Sequence, residues 1–104
     1  MQLDEQTANG RTFDLEGDET ITLHLNENPS TGYRWHITAD PAIEIQSNEF
    51  VRGQASGIGA AGHRIVVFRA TAAGEFSVRA KLWRDWQGES SVIRRCELLV
   101  RTSA

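Results

Sequence analysis

The pattern of this chain predicts an all-β domain, a sandwich or barrel of about seven to eight short strands. Three observations carry that expectation. Apolar and polar residues alternate over short runs, as in Ile21-Thr22-Leu23-His24-Leu25 and Phe76-Ser77-Val78-Arg79-Ala80-Lys81-Leu82, which is the period of a half-buried strand. Turn-forming residues recur between the runs. No stretch repeats apolar residues at the 3.6-residue period of an amphipathic helix. With 104 residues the chain is sized for one domain, residues 1–104, around one modest core.

Taken in order, residues 2–9 are polar and read as an edge strand or a loose lead-in, and residues 12–15 alternate as a short strand. Glu16-Gly17-Asp18-Glu19 is a turn. Residues 20–25 form a strand with Ile21, Leu23 and Leu25 on one face, and residues 33–38 another with Trp35 and Ile37 inward. After the Asp40-Pro41 turn, residues 42–47 carry Ile43 and Ile45 inward, and Phe50-Val51-Arg52 makes a short apolar touch. A glycine-rich loop covers residues 53–62. Residues 63–71 are β-branched and aromatic, residues 75–83 put Phe76, Val78, Ala80 and Leu82 on one face, and residues 91–102 put Cys96, Leu98 and Val100 on the core side.

Composition narrows the function. The net charge of -3 comes without a dense basic patch, which argues against nucleic acid or an anionic membrane as partner. No apolar run is long enough to span a bilayer. Met1-Gln2-Leu3-Asp4 is not a signal peptide, although a chain that has lost its signal would look the same, so a periplasmic or secreted location stays as open as a cytoplasmic one. A single cysteine, Cys96, rules out an internal disulfide, and with three scattered histidines a metal site would need help from carboxylates. A monomer with no cofactor is the expectation.

Three connections stand out. Asn28-Pro29-Ser30-Thr31-Gly32-Tyr33 is a stiff turn: Pro29 presets its own φ and restricts Asn28, and Gly32 can take a positive φ. Gly57-Ile58-Gly59-Ala60-Ala61-Gly62 lacks charge and permits close approach of its backbone to another chain. Arg84-Asp85-Trp86 joins the two residue types most often found as interface hot spots. In order and spacing these connections resemble the chagasin family, protein inhibitors of papain-like cysteine proteases. The first resembles that family's Asn-Pro-Thr-Thr-Gly-aromatic motif, with Ser30 at the first Thr. The second resembles its glycine-rich loop, with Ala61-Gly62 where a Gly-Gly pair is usual. The third resembles its Arg-Pro-Trp motif, with Asp85 in place of proline. The likeness runs from about Thr20 onward.

The resemblance implies an immunoglobulin-like antiparallel β-sandwich whose three loops sit side by side at one end and enter the protease cleft. It places Ser30 and Thr31 at the catalytic Cys-His pair, the glycine-rich loop along the non-primed side, and Arg84 and Trp86 on the primed side. Asp85 is expected to loosen the third loop and to weaken or shift specificity.

An enzyme is the poorer reading. Cys96 falls mid-strand on the inward face, where a free cysteine behaves as a small hydrophobe. His24 and His36 fall on outward positions, and His63 abuts the glycine-rich loop with no nucleophile turn nearby. The alternative of a different class is an adhesion or structural β-sandwich module that binds protein or glycan through its loops.

Overall fold

The alternation seen in the sequence becomes a burial pattern in the folded chain. In the strand Ile21–Glu27, every second residue from Ile21 to Glu27 is buried and the residues between them are not. The computed structural model describes residues 1–52 and 62–103, and these form eight strands: β1 (Gln2–Asp4), β2 (Arg11–Leu15), β3 (Ile21–Glu27), β4 (Arg34–Ala39), β5 (Ile43–Arg52), β6 (Gly62–Ala70), β7 (Gly74–Trp83) and β8 (Arg94–Thr102). They make two four-stranded sheets, ordered β1-β3-β6-β5 and β2-β8-β7-β4. Ile21, Leu23, Leu25, Val66 and Phe68 of the first sheet meet Trp35, Val78, Ala80, Cys96, Leu98 and Val100 of the second in one apolar core. This is the predicted sandwich, with Trp35 and Cys96 buried where the alternation put them.

The sheets are not purely antiparallel. β1 runs parallel to β3 and β2 runs parallel to β8, so each sheet is mixed, with a parallel strand at one edge. One stretch of chain supplies both of these edges. It pairs with β3, crosses through a four-residue helix, α1 (Glu5–Ala8), and then pairs with β8. Sequence periodicity missed α1 because one turn is too short to show a period. Its signal is local: the Asp4 carboxylate accepts from Thr7 N–H at 2.8 Å, and Thr7 Oγ1 accepts from Asp4 N–H at 2.9 Å, a capping box, while Ala8 plugs the core.

β5 differs in a second way. It is one continuous strand of ten residues, where alternation suggested a strand and a separate touch. An extra residue at Gln46 shifts the register against β6, from Ile45↔Phe68 to Ser47↔Val67, and such a bulge breaks the period of two. Ile43 is buried as expected, but Ile45 is 38% exposed on this edge strand. β8 starts at Arg94 rather than Ser91, because residues 89–91 form a 3₁₀ turn.

Candidate functional site

The connection between β3 and β4 is a self-bonded 3₁₀ turn over Pro29–Thr31. Asn28 caps it: its Oδ1 accepts the Ser30 N–H at 3.1 Å and the Ser30 hydroxyl at 2.7 Å. The Thr31 hydroxyl donates to Asn28 O at 2.8 Å and accepts the Tyr33 N–H at 3.3 Å. Thr31 N–H and Gly32 N–H close onto Asn28 O and Pro29 O. Gly32 sits at φ +78°, in the left-handed region that a Cβ disfavours. Pro29, Ser30 and Thr31 are exposed at the tip.

The connection between β7 and β8 is built the same way, from two successive 3₁₀ turns, Asp85–Gln87 and Glu89–Ser91. Asp85 occupies the first position of its turn, the place where proline is also favoured. The loop is nevertheless held, because buried Ser91 ties it together. Its hydroxyl bonds to Arg84 O at 2.9 Å and Gly88 O at 2.6 Å, and its Oγ lies 3.0 Å from the donating Arg84 N–H. The loosening expected from Asp85 is therefore countered by a residue the motif does not contain. Trp86 is 68% exposed, the largest apolar side chain the described residues present to solvent.

These two connections touch. Arg84 donates from Nε (3.2 Å) and Nη2 (2.9 Å) to the carbonyl oxygen of Thr31, and its guanidinium carbon lies 4.3 Å from the centroid of the Tyr33 ring. The Trp86 indole covers Gly32 so closely that a Cβ added there would stand 2.8 Å from Trp86 Cη2. Arg84 thus turns toward the first loop, whereas Trp86 projects outward beside it.

The stems of the connection between β5 and β6 emerge at the same end, since Gly62 pairs with Arg52 on one side and with Glu27 on the other. Gly62 itself belongs to β6 and is buried. A Cβ there would meet the Phe50 ring and come within 2.5 Å of Val51 O, so its glycine serves packing. Gly57, Ile58, Gly59, Ala60 and Ala61 lie outside the described residues.

At the end of β3, opposite Gly62 and just before the first connection, sits Glu27, with a side chain only 2% exposed. Its Oε1 accepts from Arg64 Nε and from the Trp35 backbone N–H, each at 2.8 Å, and its Oε2 accepts from Arg64 Nη2 at 2.9 Å. Burial alone would raise the pKa of this carboxyl, but the bonds from Arg64 and Trp35 outweigh it and hold it below its ordinary 4.5. The Trp35 indole adds a bond to Asn26 O at 2.8 Å. These contacts join β3, β4 and β6, and so both sheets, where the first loop leaves and returns. The sequence did hold the signal for Glu27, which continues the inward phase of Ile21, Leu23 and Leu25 as a charge at a core position.

Two hollows adjoin the paired loops. One of about 540 Å³ is lined by Pro29, Gly32, His36, Trp83 and Trp86. The other, of about 550 Å³, is lined by Thr31, Tyr33, Leu82, Arg84 and exposed Ile93. Trp83 and Ile93 were not among the residues the motifs named. The Cys96 thiol is buried, and burial first, then the carboxylates of Glu5, Asp4 and Glu97, push its pKa up to about 11. His24 and His63 border a polar groove with Asp4, Glu5 and Arg94, and among the described residues no cluster could hold a metal ion.

Comparison with known proteins agrees with this architecture. A crystal structure of the cysteine protease inhibitor EhICP2 from Entamoeba histolytica is similar with a TM-score of 0.88 at 19% identity, over 98% of this chain and 94% of that one. The solution structure of amebosin is similar with a TM-score of 0.81 at 26% identity, over 98% and 96%. PbICP-C, solved in complex with falcipain-2, is similar with a TM-score of 0.69 at 15% identity, over 92% of each chain. No curated protein sequence matches. The family model described as Chagasin family peptidase inhibitor I42 matches residues 14–100. That span takes in the three connections and nearly all of the strands that hold them, and the chain belongs to the chagasin family of peptidase inhibitors.

Proposed function

We propose that this chain inhibits papain-like cysteine proteases reversibly and tightly, by lodging the loops at one pole of the sandwich in the active-site cleft. Family membership makes it an inhibitor and not a peptidase. The observation that carries the mechanism is the joining of the first and third connections into one edge, Arg84 on Thr31 O and Trp86 over Gly32. An edge whose backbone and side chains already bond one another loses little freedom on docking, so more of its contact energy appears as affinity. Exposed Trp86 offers the large, stiff surface typical of a hot spot. Ser30 and Thr31 at the tip are small enough to enter a narrow cleft. The connection carrying Gly57, Ile58, Gly59, Ala60 and Ala61 would lie along the non-primed side and pair through its backbone. Together the loops would bury on the order of 1,600 Å². The complex of PbICP-C with falcipain-2 supports the target class.

The test is a titration into papain with a fluorogenic peptide substrate. Competitive inhibition at sub-micromolar concentration is expected. No inhibition of papain or of several related enzymes at high concentration would refute the proposal and favour an adhesion module.

A further inference from the structure

We infer that Arg84 is a positioning residue that keeps the inhibitory loop from being cut by the protease it blocks. The inference rests on the inhibitor reading above and adds to it. A peptide is hydrolysed by a papain-like enzyme only when it lies extended, with the carbonyl of the scissile bond turned toward the donors that stabilise an oxyanion. At the tip of this loop that bond would be Thr31–Gly32. The enzyme's thiolate would add to the Thr31 carbonyl carbon, Gly32 N would leave as the protonated amine, and water would then release Thr31 as a carboxylate.

The structure opposes the first of these steps. The Thr31 carbonyl oxygen is already held by two charge-assisted N–H donors from Arg84, at 3.2 and 2.9 Å. An oxygen engaged by its own protein cannot turn into the enzyme's oxyanion hole without losing both bonds. The amides on either side are also committed, Thr31 N–H to Asn28 O and Gly32 N–H to Pro29 O, each at 3.2 Å, so the segment cannot pair as an added strand. Tyr33 fixes the guanidinium plane from one face, and Trp86 lies over Gly32. Lysine could not do the same, because it lacks the planar fork and the stacking face.

The experiment incubates the protein with substoichiometric papain for hours and maps any cleavage by mass spectrometry, while a separate equimolar assay follows papain activity. The parent is expected to stay intact. Arg84→Ala is expected to be nicked within residues 28–33, to inhibit about tenfold less tightly at first, and to release active papain with time. Arg84→Lys is expected to fall between them. Tyr33→Leu keeps the two hydrogen bonds and removes only the stacking, so it should be nicked more slowly than Arg84→Ala. Circular dichroism of each variant separates loop opening from unfolding. Arg84→Ala cut no faster than the parent in residues 28–33 would overturn the inference. A parent that fails to inhibit papain would instead overturn the inhibitor reading, and faster nicking of Arg84→Ala would then still establish the clamp.

Discussion

Replacing Glu27 by alanine should destabilise the protein by about 3 kcal/mol. The carboxylate takes three hydrogen bonds while only 2% exposed. Alanine would leave the Trp35 N–H buried without its acceptor and the Arg64 guanidinium without its counter-charge. Breaking one side of a buried ion pair typically costs about 3–5 kcal/mol. The low end applies because Arg64 retains 14% side-chain exposure and a 2.9 Å bond to Asn48. For a domain of this size, each kcal/mol is worth about 5 °C, so the midpoint should fall by about 15 °C. Glu27→Gln keeps one acceptor oxygen, which can serve the Trp35 N–H and Arg64 Nε, but turns an NH2 toward Arg64 Nη2, and should lose roughly half as much.

The same carboxylate gives a pH signature. Its folded pKa lies below its ordinary value of 4.5. Its contribution is therefore fully present above that value and is lost as pH falls through the lower, folded one. Thermal unfolding followed by circular dichroism from pH 7 down to 3 should show an acid limb that is shallower in Glu27→Gln than in the parent. The exposed pairs, such as Arg101 with Asp14 at 58% and 72% side-chain exposure, are screened by solvent and should contribute little to that limb. A Glu27→Ala midpoint within 3 °C of the parent's would refute the role assigned to this residue.

Three further outcomes are expected. Trp86→Ala should weaken papain inhibition by about 2 kcal/mol, near thirtyfold, with an unchanged melting temperature, because the side chain is mostly solvent-facing before binding. Gly32→Ala should cost about 1 kcal/mol for the left-handed backbone alone and should also displace the Trp86 ring, so its loss of inhibition should exceed its loss of stability; equal losses would count against the Gly32–Trp86 contact. Cys96 should resist a thiol reagent such as Ellman's until the protein unfolds, since the thiol is buried with a pKa of about 11; prompt reaction with the native protein at pH 8 would show that the strand opens.

The face of each long strand was legible because one side of each sheet is apolar and the side-chain period is two. Ile21, Leu23 and Leu25 in β3, and Cys96, Leu98 and Val100 in β8, needed nothing more. Pairing direction was not legible. Nothing in the alternation of residues 2–15 says that they run parallel to β3 and β8, because alternation fixes which face a side chain takes and not which neighbour an edge strand joins or in which direction. The bulge at Gln46 hid the continuity of β5 for a related reason: one inserted residue inverts the phase. At the site, the motif residues Asn28 to Tyr33 and Arg84 to Trp86 could be found from type and spacing. Their division of labour could not. Arg84 faces Thr31 rather than outward, Gly62 packs under Phe50, and Ser91 does the bracing that proline would otherwise supply, contacts that residue type and spacing do not encode.

The way this pole is built follows from what it must do. Among the described residues the buried apolar core ends near Leu25, Trp35 and Leu82, and of the first loop only Tyr33 packs against it. Extending the core outward would cover the tip and leave nothing to present. Stiffness there has to come from directional bonds, and short polar side chains bonded to backbone supply it within each loop, as Asn28, Thr31 and Ser91 do. Such bonds are individually weak when exposed to water. The chain sets the most strongly charged of them, Glu27 with Arg64, where water is excluded, directly below the point where the first loop leaves and the β5–β6 connection returns. Loop geometry is thereby coupled to the buried framework rather than to the loops' own marginal stability. Trp86 can then stay exposed, free to bury its surface against another protein and not against its own.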